Sequence, residues 1–276
     1  MFTLNCKGKL LVIDKPIVMG IINATPDSFY EGSRFPTTDD ILRQAEKIMT
    51  EEGDIIDIGG QSTRPRSERV SDGEELKRVI GPVEAIHRTF PEALISIDTY
   101  HSIVARECVD AGASIVNDIS SGNFDKDMLS TVAALKVPYV IMHMKGTPET
   151  MQQHTNYHNL VRDVLDFFIQ KKEECRSAGI HDIIIDPGFG FAKTIQQNFE
   201  LLRSLSIFKM FEAPLLAGIS RKSSVYKTLS VSPEEALNGT TALNTIALTN
   251  GANILRVHDV KEAKEVIKLH TAVTDH

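Results

Sequence analysis

Polar and ionisable side chains recur along the sequence, each directly after a short apolar run. They are Asn23, the residues of 57–64, Asp98, Asn117 with Asp118, His143, Asp186, the residues of 220–222 and those of 256–259. Carboxylates and amides bind the polar groups of a ligand, and Arg, Lys and His bind anions. We find no Ser/His/Asp or Cys/His arrangement among them. Polar residues at this many strand ends predict a functional site where they converge.

Eight apolar runs precede these residues, and most are near-continuous in Ile, Val and Leu. They cover 17–22, 55–58, 94–97, 114–116 with Ile119, 139–142, 183–185, 214–219 and 254–257. Strands of this composition are buried on both faces, which is typical of a parallel sheet. Helical patterns lie between them, and Ser232-Pro233-Glu234 predicts a helix start with an N-cap and a proline at the first position.

The alternation of strand and helix predicts an α/β fold, a (β/α)8 TIM barrel with a short N-terminal hairpin that closes its floor. No linker or low-complexity segment divides the chain, so we expect one domain over 1–276. A doubly wound open sheet is the alternative, but it favours GxGxxG after the first strand, where this chain has GIINATPDSF. Barrel active sites lie at the C-terminal ends of the strands, so the polar residues should converge on one rim.

Composition excludes several classes of protein. The 276 residues carry a net charge of −7, whereas nucleic-acid-binding domains are normally basic. Three scattered cysteines indicate neither disulfides nor a zinc site and favour a reducing compartment. No apolar stretch approaches the ~18 residues of a membrane span, and no targeting segment is recognisable. We therefore expect a cytoplasmic protein with no nucleic-acid or membrane partner.

The strand-end motifs resemble, in order, those of the dihydropteroate synthase family. They are MGIINATPDSF (19–29), DIGGQSTRP (57–65), SIDTY (96–100), VNDIS (116–120), MHMKGTPETMQ (142–152), IDPGFGFAK (185–193), GISRKS (218–223) and LRVHDV (255–260). The resemblance covers essentially the whole chain. It implies a transferase of folate biosynthesis that condenses 6-hydroxymethyl-7,8-dihydropterin pyrophosphate with 4-aminobenzoate to 7,8-dihydropteroate and pyrophosphate.

The resemblance also implies how the pterin is held. A pterin presents a ring N–H beside an exocyclic amino group, and the implied acceptor of both is the Asp186 carboxylate. Ionised Asp98 and Asp186 would stabilise the cation left by departing pyrophosphate, in a dissociative (SN1-like) mechanism. The implied catalytic residues are Asp98, Asp186 and Lys222. The implied pterin-binding residues are Asp98, Asn117, Met142, Asp186, Phe191 and Lys222.

For the leaving group, the family implies Asn23, Arg256 and His258 as pyrophosphate-binding residues. Arg256 and His258 are two positions apart and should lie on the same side of an extended strand. Mg²⁺ is the implied cofactor, because it commonly binds substrate phosphates together with only one or two protein ligands. Asn23 is the implied metal ligand.

The implied 4-aminobenzoate pocket is formed by Phe29, Thr63, Arg64, Pro65, Phe191, Lys222 and Ser223. Loops 25–34 and 61–69 would act as lids over bound ligand. Arg221 fits either a structural role or a role in the site, and both interpretations stay open. Because sulfonamides imitate 4-aminobenzoate, they should compete for this pocket.

Two departures from the family pattern stand out: Tyr30-Glu31-Gly32-Ser33 replaces an SDGG-like stretch, and Gln61 replaces a common Glu. The alternative functions are a methyltetrahydrofolate–corrinoid methyltransferase and a non-catalytic pterin-binding protein. A metal-dependent barrel hydrolase would need HxH at the first strand, which ends in Asn23 instead. The family further implies a homodimer. Its interface either includes Ala242, Leu243, Ile246 and Leu248, or these residues pack in the core of the barrel.

Overall fold

The computed structural model describes residues 1–25, 37–62 and 69–274. Two strands, β1 (Phe2–Cys6) and β2 (Lys9–Ile13), form an antiparallel hairpin. Eight further strands form a parallel sheet. They are β3 (Ile17–Asn23), β4 (Ile55–Gly59), β5 (Leu94–Asp98), β6 (Ile115–Asp118), β7 (Tyr139–Met142), β8 (Ile183–Asp186), β9 (Leu216–Ala217) and β10 (Ile254–Val257).

Helices follow the strands and pack around them. They are α1 (Thr38–Thr50), α2 (Asp72–Thr89), α3 (Ser102–Asp110), α4 (Met128–Leu135), α5 (Leu160–Ala178), α6 (Ile195–Arg203), α7 (Ser223–Leu229), α8 (Leu237–Thr249) and α9 (Val260–Thr274). Two 3-10 helices, Met151–Gln153 and Leu205–Phe211, lie in the connections. No helix of the described residues is long and apolar enough to cross a membrane.

The eight parallel strands form a nearly closed barrel. Their order is β8-β7-β6-β5-β4-β3-β10-β9, and a parallel bridge between Ile185 and Leu215 joins the two ends of the sheet. Strand and helix alternate as the apolar runs predict, which confirms the TIM barrel. The run 214–219 is shorter than expected, since only Leu216 and Ala217 pair with β10.

The N-terminal hairpin covers the floor of the barrel. Its buried side chains Leu4, Cys6 and Ile13 pack against the first residues of the parallel strands, including Met19 and Ile254. Apolar contact removes these side chains from water, and each contributes roughly 1.5–3 kcal/mol of burial free energy. The predicted hairpin and its position are therefore confirmed.

The start of α8 differs from the sequence-based expectation. Ser232-Pro233-Glu234 does not begin the helix, which starts at Leu237. The Glu235 side chain accepts a hydrogen bond from the Ser232 amide at 3.0 Å, and the backbone between them forms turns. The expected N-cap segment therefore forms a local turn, in which a nearby side chain accepts the Ser232 amide proton, and the helix begins later.

Candidate active site

Three strand ends place polar residues in one row at the mouth of the barrel, and Gly59 at the end of β4 lies in the same row. Asn23 pairs in register with Gly59, Gly59 with Asp98, and Asp98 with Asn117. One layer below, Asp57 on β4 is fully buried. Because neighbouring parallel strands end together, residues from distant motifs meet at this rim.

Arg256 links two of the carboxylates. Its Nε donates to Asp57 Oδ2 at 2.7 Å, and its Nη2 lies 2.6 Å from both Asp57 Oδ2 and Asp98 Oδ2. The Asn117 amide also donates to Asp57, at 3.3 Å to Oδ1 and 3.2 Å to Oδ2. Asp57 therefore orients both Arg256 and Asn117 from beneath the rim.

Burial sets the protonation of this cluster. Burial raises the pKa of Asp98 to about 7. The charge of Arg256 opposes this shift, and the charge of Asp57 adds to it. Burial alone would lower the pKa of Arg256, but Asp57 and Asp98 outweigh it and raise that pKa above its usual range. Arg256 thus stays charged, whereas Asp98 titrates near neutral pH.

A second cluster lies across the mouth, around Asp186 and Lys222. A methyl group built on Gly218 would lie 3.9 Å from Asp186 Oδ2 and 3.7 Å from Lys222 Nζ, so both groups border the same small space. Asp186 Oδ1 accepts a hydrogen bond from the Gly188 amide at 2.8 Å. Burial lowers the pKa of Lys222 to about 8, opposed by the charge of Asp186. Burial likewise raises the pKa of Asp186, opposed chiefly by Lys222.

Apolar side chains form a wall beside the two clusters. Phe191, 8% exposed, lies with its ring centroid 4.6 Å from Lys222 Nζ, and Lys222 also donates to the Phe189 carbonyl. Met142 packs in the same cluster as Phe191. A flat ring can pack against this wall while its polar edge meets the carboxylates. Its members are Tyr100, Ile119, Met142, Met151, Phe191 and Ala192.

Lys193 has a role that the sequence reasoning missed. Its buried ammonium lies 2.9 Å from the Gly188 carbonyl, 3.0 Å from the Phe191 carbonyl and 3.0 Å from His143 Nδ1. It therefore ties the loop after β8 to the end of β7. Burial lowers the pKa of Lys193 to about 7, and burial with the nearby Lys193 charge lowers the pKa of His143 to about 2. His143 is thus a neutral packing partner.

The ends of β9 and β10, the next strands around the barrel, hold Ser220 and His258. His258 Nδ1 lies 3.0 Å from Ser220 Oγ, and the His258 amide donates to the same oxygen at 3.2 Å. Asn23, at the end of β3, is half-buried, and its side chain forms no hydrogen bond within the described ranges. Arg256, the third predicted pyrophosphate residue, donates to Asp57 and Asp98.

The structure assigns Arg221 a structural role. Its Nε and Nη2 donate to the two Asp259 carboxylate oxygens at 2.8 Å each, and its Nη1 donates to the Pro233 and Glu234 carbonyls. A bidentate pair of this kind fixes both partners. Arg221 therefore joins the loop after β9 to the start of α9. Its neighbour Ser223, the first residue of α7, is half-buried.

Gln61 holds the base of the loop between β4 and α2. Its Oε1 accepts from the Val70 amide at 2.8 Å and the Tyr100 hydroxyl at 3.3 Å, and its Nε2 donates to the Ser62 carbonyl. A glutamate here would lack that amide donor. Four residues predicted for the 4-aminobenzoate pocket lie outside the described residues, as do Tyr30-Glu31-Gly32-Ser33. They are Phe29, Thr63, Arg64 and Pro65.

Two polar residues beneath the site, Asp57 and Lys193, have no role in the sequence-based assignment. Asp57 stands among the strand-end residues, but its partners are 60 and 199 positions away. Lys193 ends the IDPGFGFAK motif, where a lysine ordinarily indicates an exposed position. The one sequence signal that points to its burial is the pair of apolar residues, Phe191 and Ala192, that precedes it in a glycine-rich motif.

Known proteins share this architecture along the whole chain. Residues 19–258 match the family described as "Pterin binding enzyme". A dihydropteroate synthase from Haemophilus influenzae is 42% identical over 274 residues, 99% of each chain.

Two solved structures are also similar over nearly their full lengths. The Yersinia pestis dihydropteroate synthase, solved with a sulfonamide drug complex, has a TM-score of 0.95 and 40% identity, covering 100% of both chains. The Xanthomonas albilineans dihydropteroate synthase with 4-aminobenzoic acid has a TM-score of 0.93 and 36% identity, covering 99% of this chain and 98% of that one. This chain belongs to the pterin binding enzyme family, among the dihydropteroate synthases.

Proposed function

We propose that the enzyme joins 6-hydroxymethyl-7,8-dihydropterin pyrophosphate to 4-aminobenzoate by electrostatic stabilisation of a pterin cation, with no covalent intermediate on the protein. The observation that carries this is the convergence of Asp57, Asp98 and Asp186 with Arg256 and Lys222 at one rim. Buried carboxylates stabilise positive charge more strongly than solvated ones, because little water screens them. The arylamine is neutral at pH 7, so its attack needs no strong base.

The polar edge of the pterin binds deepest. Asp186 accepts from the ring N–H and the exocyclic amino group, and the Gly188 amide keeps its carboxylate oriented. Asn117 and Asp98 complete the polar edge, with Lys222 beside it. Met142 and Phe191 contact the faces of the ring. Asp98 and Asp186 then stabilise the charge that develops as the C–O bond to pyrophosphate breaks.

Pyrophosphate binds at Asn23, Arg256 and His258. The Arg256 guanidinium has five N–H donors, and its Nη1 donors form no hydrogen bond within the described part of the chain. They are therefore available to phosphate oxygens while Nε and Nη2 remain on Asp57 and Asp98. Asn23 lies in the same row of strand ends.

Mg²⁺ fits the donor set around Asn23. The described residues contain no group of three His, Cys, Asp or Glu side chains placed to hold a metal ion. Mg²⁺ does not require such a group, because it keeps several waters and takes one or two protein ligands together with substrate phosphates. The Asn23 amide oxygen would hold the ion, which would neutralise charge on the leaving group.

The 4-aminobenzoate ring binds between Phe191 and the Lys222 stem, with Ser223 near its carboxylate and Phe29, Thr63, Arg64 and Pro65 completing the pocket. The sulfonamide and 4-aminobenzoate complexes of the two solved relatives support this assignment. We expect sulfonamides to raise the KM for 4-aminobenzoate without changing kcat. Independent binding of the two compounds in a competition titration would contradict a shared pocket.

A homodimer is consistent with the surface around α6 to α8. Ile246 on α8 is 43% exposed and Leu229 on α7 is 49% exposed, whereas Leu248 is buried in the core. Ile207 and Met210, on the adjacent 3-10 helix, are also exposed. Exposed apolar side chains on neighbouring elements are candidates for an interface. Sedimentation of wild type and Ile246→Glu would test it, and an unchanged oligomeric state in the variant would place the interface elsewhere.

The first experiment measures pyrophosphate release from dihydropterin pyrophosphate with Mg²⁺, with and without 4-aminobenzoate. Release that requires 4-aminobenzoate and yields dihydropteroate supports the proposal. Tight pterin binding with no product at any Mg²⁺ concentration would overturn it. The methyltransferase alternative would then be tested with methyltetrahydrofolate and a corrinoid, and the binding-protein alternative would remain if both assays failed.

A further inference from the structure

Strand β7 extends further towards the mouth of the barrel than its neighbour β6. Within the described residues, the last register pair between them joins Asp118 to Ile141, one residue before Met142. On the other side, Met142 pairs in register with Asp186 of β8, and the His143 amide donates to the Asp186 carbonyl at 3.1 Å. Successive residues of a parallel strand bond to opposite neighbours, so the Met142 amide and carbonyl face the position that β6 has left.

The side chain of Ser121 occupies this position. Its Oγ accepts from the Met142 amide at 2.7 Å and donates to the Met142 carbonyl at 2.9 Å. Ser121 is fully buried and Met142 is 2% exposed, so neither backbone group is open to bulk solvent. Buried amides and carbonyls are costly when they are unpaired. One hydroxyl therefore replaces the two ladder hydrogen bonds that a further residue of β6 would have formed.

The turn that carries Ser121 is held by the buried carboxylate of Asp118. Its Oδ1 accepts from the Ser120 amide and its Oδ2 from the Gly122 amide, each at 2.7 Å. The Tyr139 hydroxyl donates to Oδ2 at 2.6 Å. In this turn Ser121 has a φ of +53°, a conformation that favours glycine because a Cβ is crowded by the backbone. Glycine would relieve that strain, but it has no hydroxyl to reach β7. Strain at a residue with such a contact indicates a functional reason for the side chain.

We propose that Ser121 is a positioning residue for the pterin ring, whose hydroxyl fixes the end of β7 and with it the Met142 side chain. The inference rests on the proposed function, in which Met142 contacts a face of the ring. Met142 packs with Ile119 and Phe191 in the apolar wall. Its side chain is unbranched and flexible, so its place in the wall depends on how firmly its backbone is held. A flat ring loses contact with the wall when that backbone shifts by a fraction of an ångström.

The hydrogen bond itself is measured in the free protein. Hydrogen exchange of the Met142 amide is followed in ¹⁵N-methionine-labelled protein, with its signal assigned from Met142→Leu. We expect a protected amide in wild type and exchange about tenfold faster or more in Ser121→Ala and Ser121→Gly, because neither variant has the acceptor. An unprotected wild-type amide, or equal protection in both variants, would overturn the proposal.

The same two variants separate positioning from stability. Both lack the hydroxyl, but only Ser121→Ala keeps a Cβ in the left-handed conformation, so Ser121→Gly should unfold at a higher urea concentration. Affinity for 6-hydroxymethyl-7,8-dihydropterin in calorimetric titration should fall about tenfold in both variants. Affinity that follows stability instead, with Ser121→Gly binding like wild type, would overturn the proposal.

The loss of affinity should depend on the Met142 side chain. In a Met142→Ala background, Ser121→Gly should lower pterin affinity by less than about twofold, because the side chain to be positioned is absent. A loss as large as in wild type would show that Ser121 acts elsewhere. The matched control is Ser114→Ala, which removes a buried hydroxyl at the floor, where Oγ lies 3.5 Å from the Ile95 carbonyl. It should change neither the Met142 exchange nor the pterin affinity.

The titration uses the pterin alone, so it tests Ser121 whether or not the protein forms dihydropteroate. If wild type and both Ser121 variants bind the pterin equally well, only this inference is overturned. If wild type binds no pterin, the proposed function is overturned and the inference with it. In steady-state kinetics, both variants should lower kcat/KM for dihydropterin pyrophosphate and leave the KM for 4-aminobenzoate unchanged, because the proposed 4-aminobenzoate pocket includes no residue of β7. A rise in that KM with an unchanged kcat/KM for the pterin substrate would contradict the proposed role.

Discussion

Asp57 and Arg256 lie 199 positions apart in the chain, and Nε of Arg256 donates to Asp57 Oδ2 over 2.7 Å. Asp57 is fully buried, so its charge is stabilised by this guanidinium and the Asn117 amide rather than by water. The pair links β4 to β10 across the intervening strand β3, beneath the rim. It also decides where Arg256 and Asn117 point.

Asp57→Asn should therefore destabilise the protein and weaken pterin binding together. Removing one partner of a buried ion pair costs about 3 kcal/mol, measurable as a loss of unfolding free energy in urea. Asp54→Asn is the control, because Asp54 also forms an ion pair, with Lys264, but its side chain is 30% exposed. The control should lose less than about 1 kcal/mol. Equal losses in the two variants would contradict the special burial of Asp57.

Asp186→Asn should abolish tight pterin binding while leaving the fold intact. An amide cannot accept from both pterin donors, so the affinity should fall about a hundredfold or more in calorimetric titration. Asp182→Asn is the control, because Asp182 lies just before the same strand and accepts a hydrogen bond from the Asn5 amide on the barrel floor. Unchanged pterin affinity in Asp186→Asn would remove Asp186 from its proposed role.

The rate should depend on pH through Asp98 and Lys222. Burial raises the pKa of Asp98 to about 7, so below that pH the group is protonated and cannot stabilise a cation. Burial lowers the pKa of Lys222 to about 8, so above that pH its charge is lost. We expect kcat/KM for the pterin substrate to rise towards pH 7 and fall above pH 8. In Asp98→Asn the acidic limb of the residual rate should vanish, and a flat wild-type profile from pH 6 to 9 would refute the assignment.

Lys193→Met should loosen the loop that carries Gly188 and Phe191. The change leaves the Gly188 and Phe191 carbonyls without their buried donor, which costs about 3 kcal/mol of unfolding free energy. Because Gly188 orients Asp186, pterin affinity should fall as well. Lys145→Met is the control, since Lys145 is more exposed and donates to the Asn156 carbonyl at 3.2 Å. A stable Lys193→Met protein with normal pterin affinity would show that the hydrogen bonds of Lys193 are not needed to hold this loop.

The sequence predicted the parts of this molecule that local pattern controls. Continuous apolar runs such as 55–58 and 139–142 became buried strands, because both faces of a barrel strand lack water. The strand-end positions of Asp98, Asn117 and Asp186 followed from the same runs. The roles of the predicted site residues stay predictions until they are tested.

Other features depended on contacts between distant residues and could not be predicted. Nothing near Lys193 in the sequence specifies the His143 side chain that receives it. The pairing of Arg221 with Asp259 likewise resolved a choice that the motif alone left open. At Ser232, a local side-chain hydrogen bond replaced the expected helix start. The neighbouring sequence shows which side chain stands at a position, but it does not show which distant residue that side chain contacts.

The hairpin beneath the barrel bears on the order in which we expect the substrates to bind. Leu4, Cys6 and Ile13 fill the lower end with apolar side chains, so substrates must enter at the rim. If the pterin binds the buried carboxylate of Asp186 as proposed, we expect it to arrive before the arylamine, which would otherwise obstruct its route. We expect dihydropteroate to leave through the same opening at the rim, with its pterin end leaving last. We therefore expect ordered binding, in which the substrate that enters first forms the part of the product that leaves last.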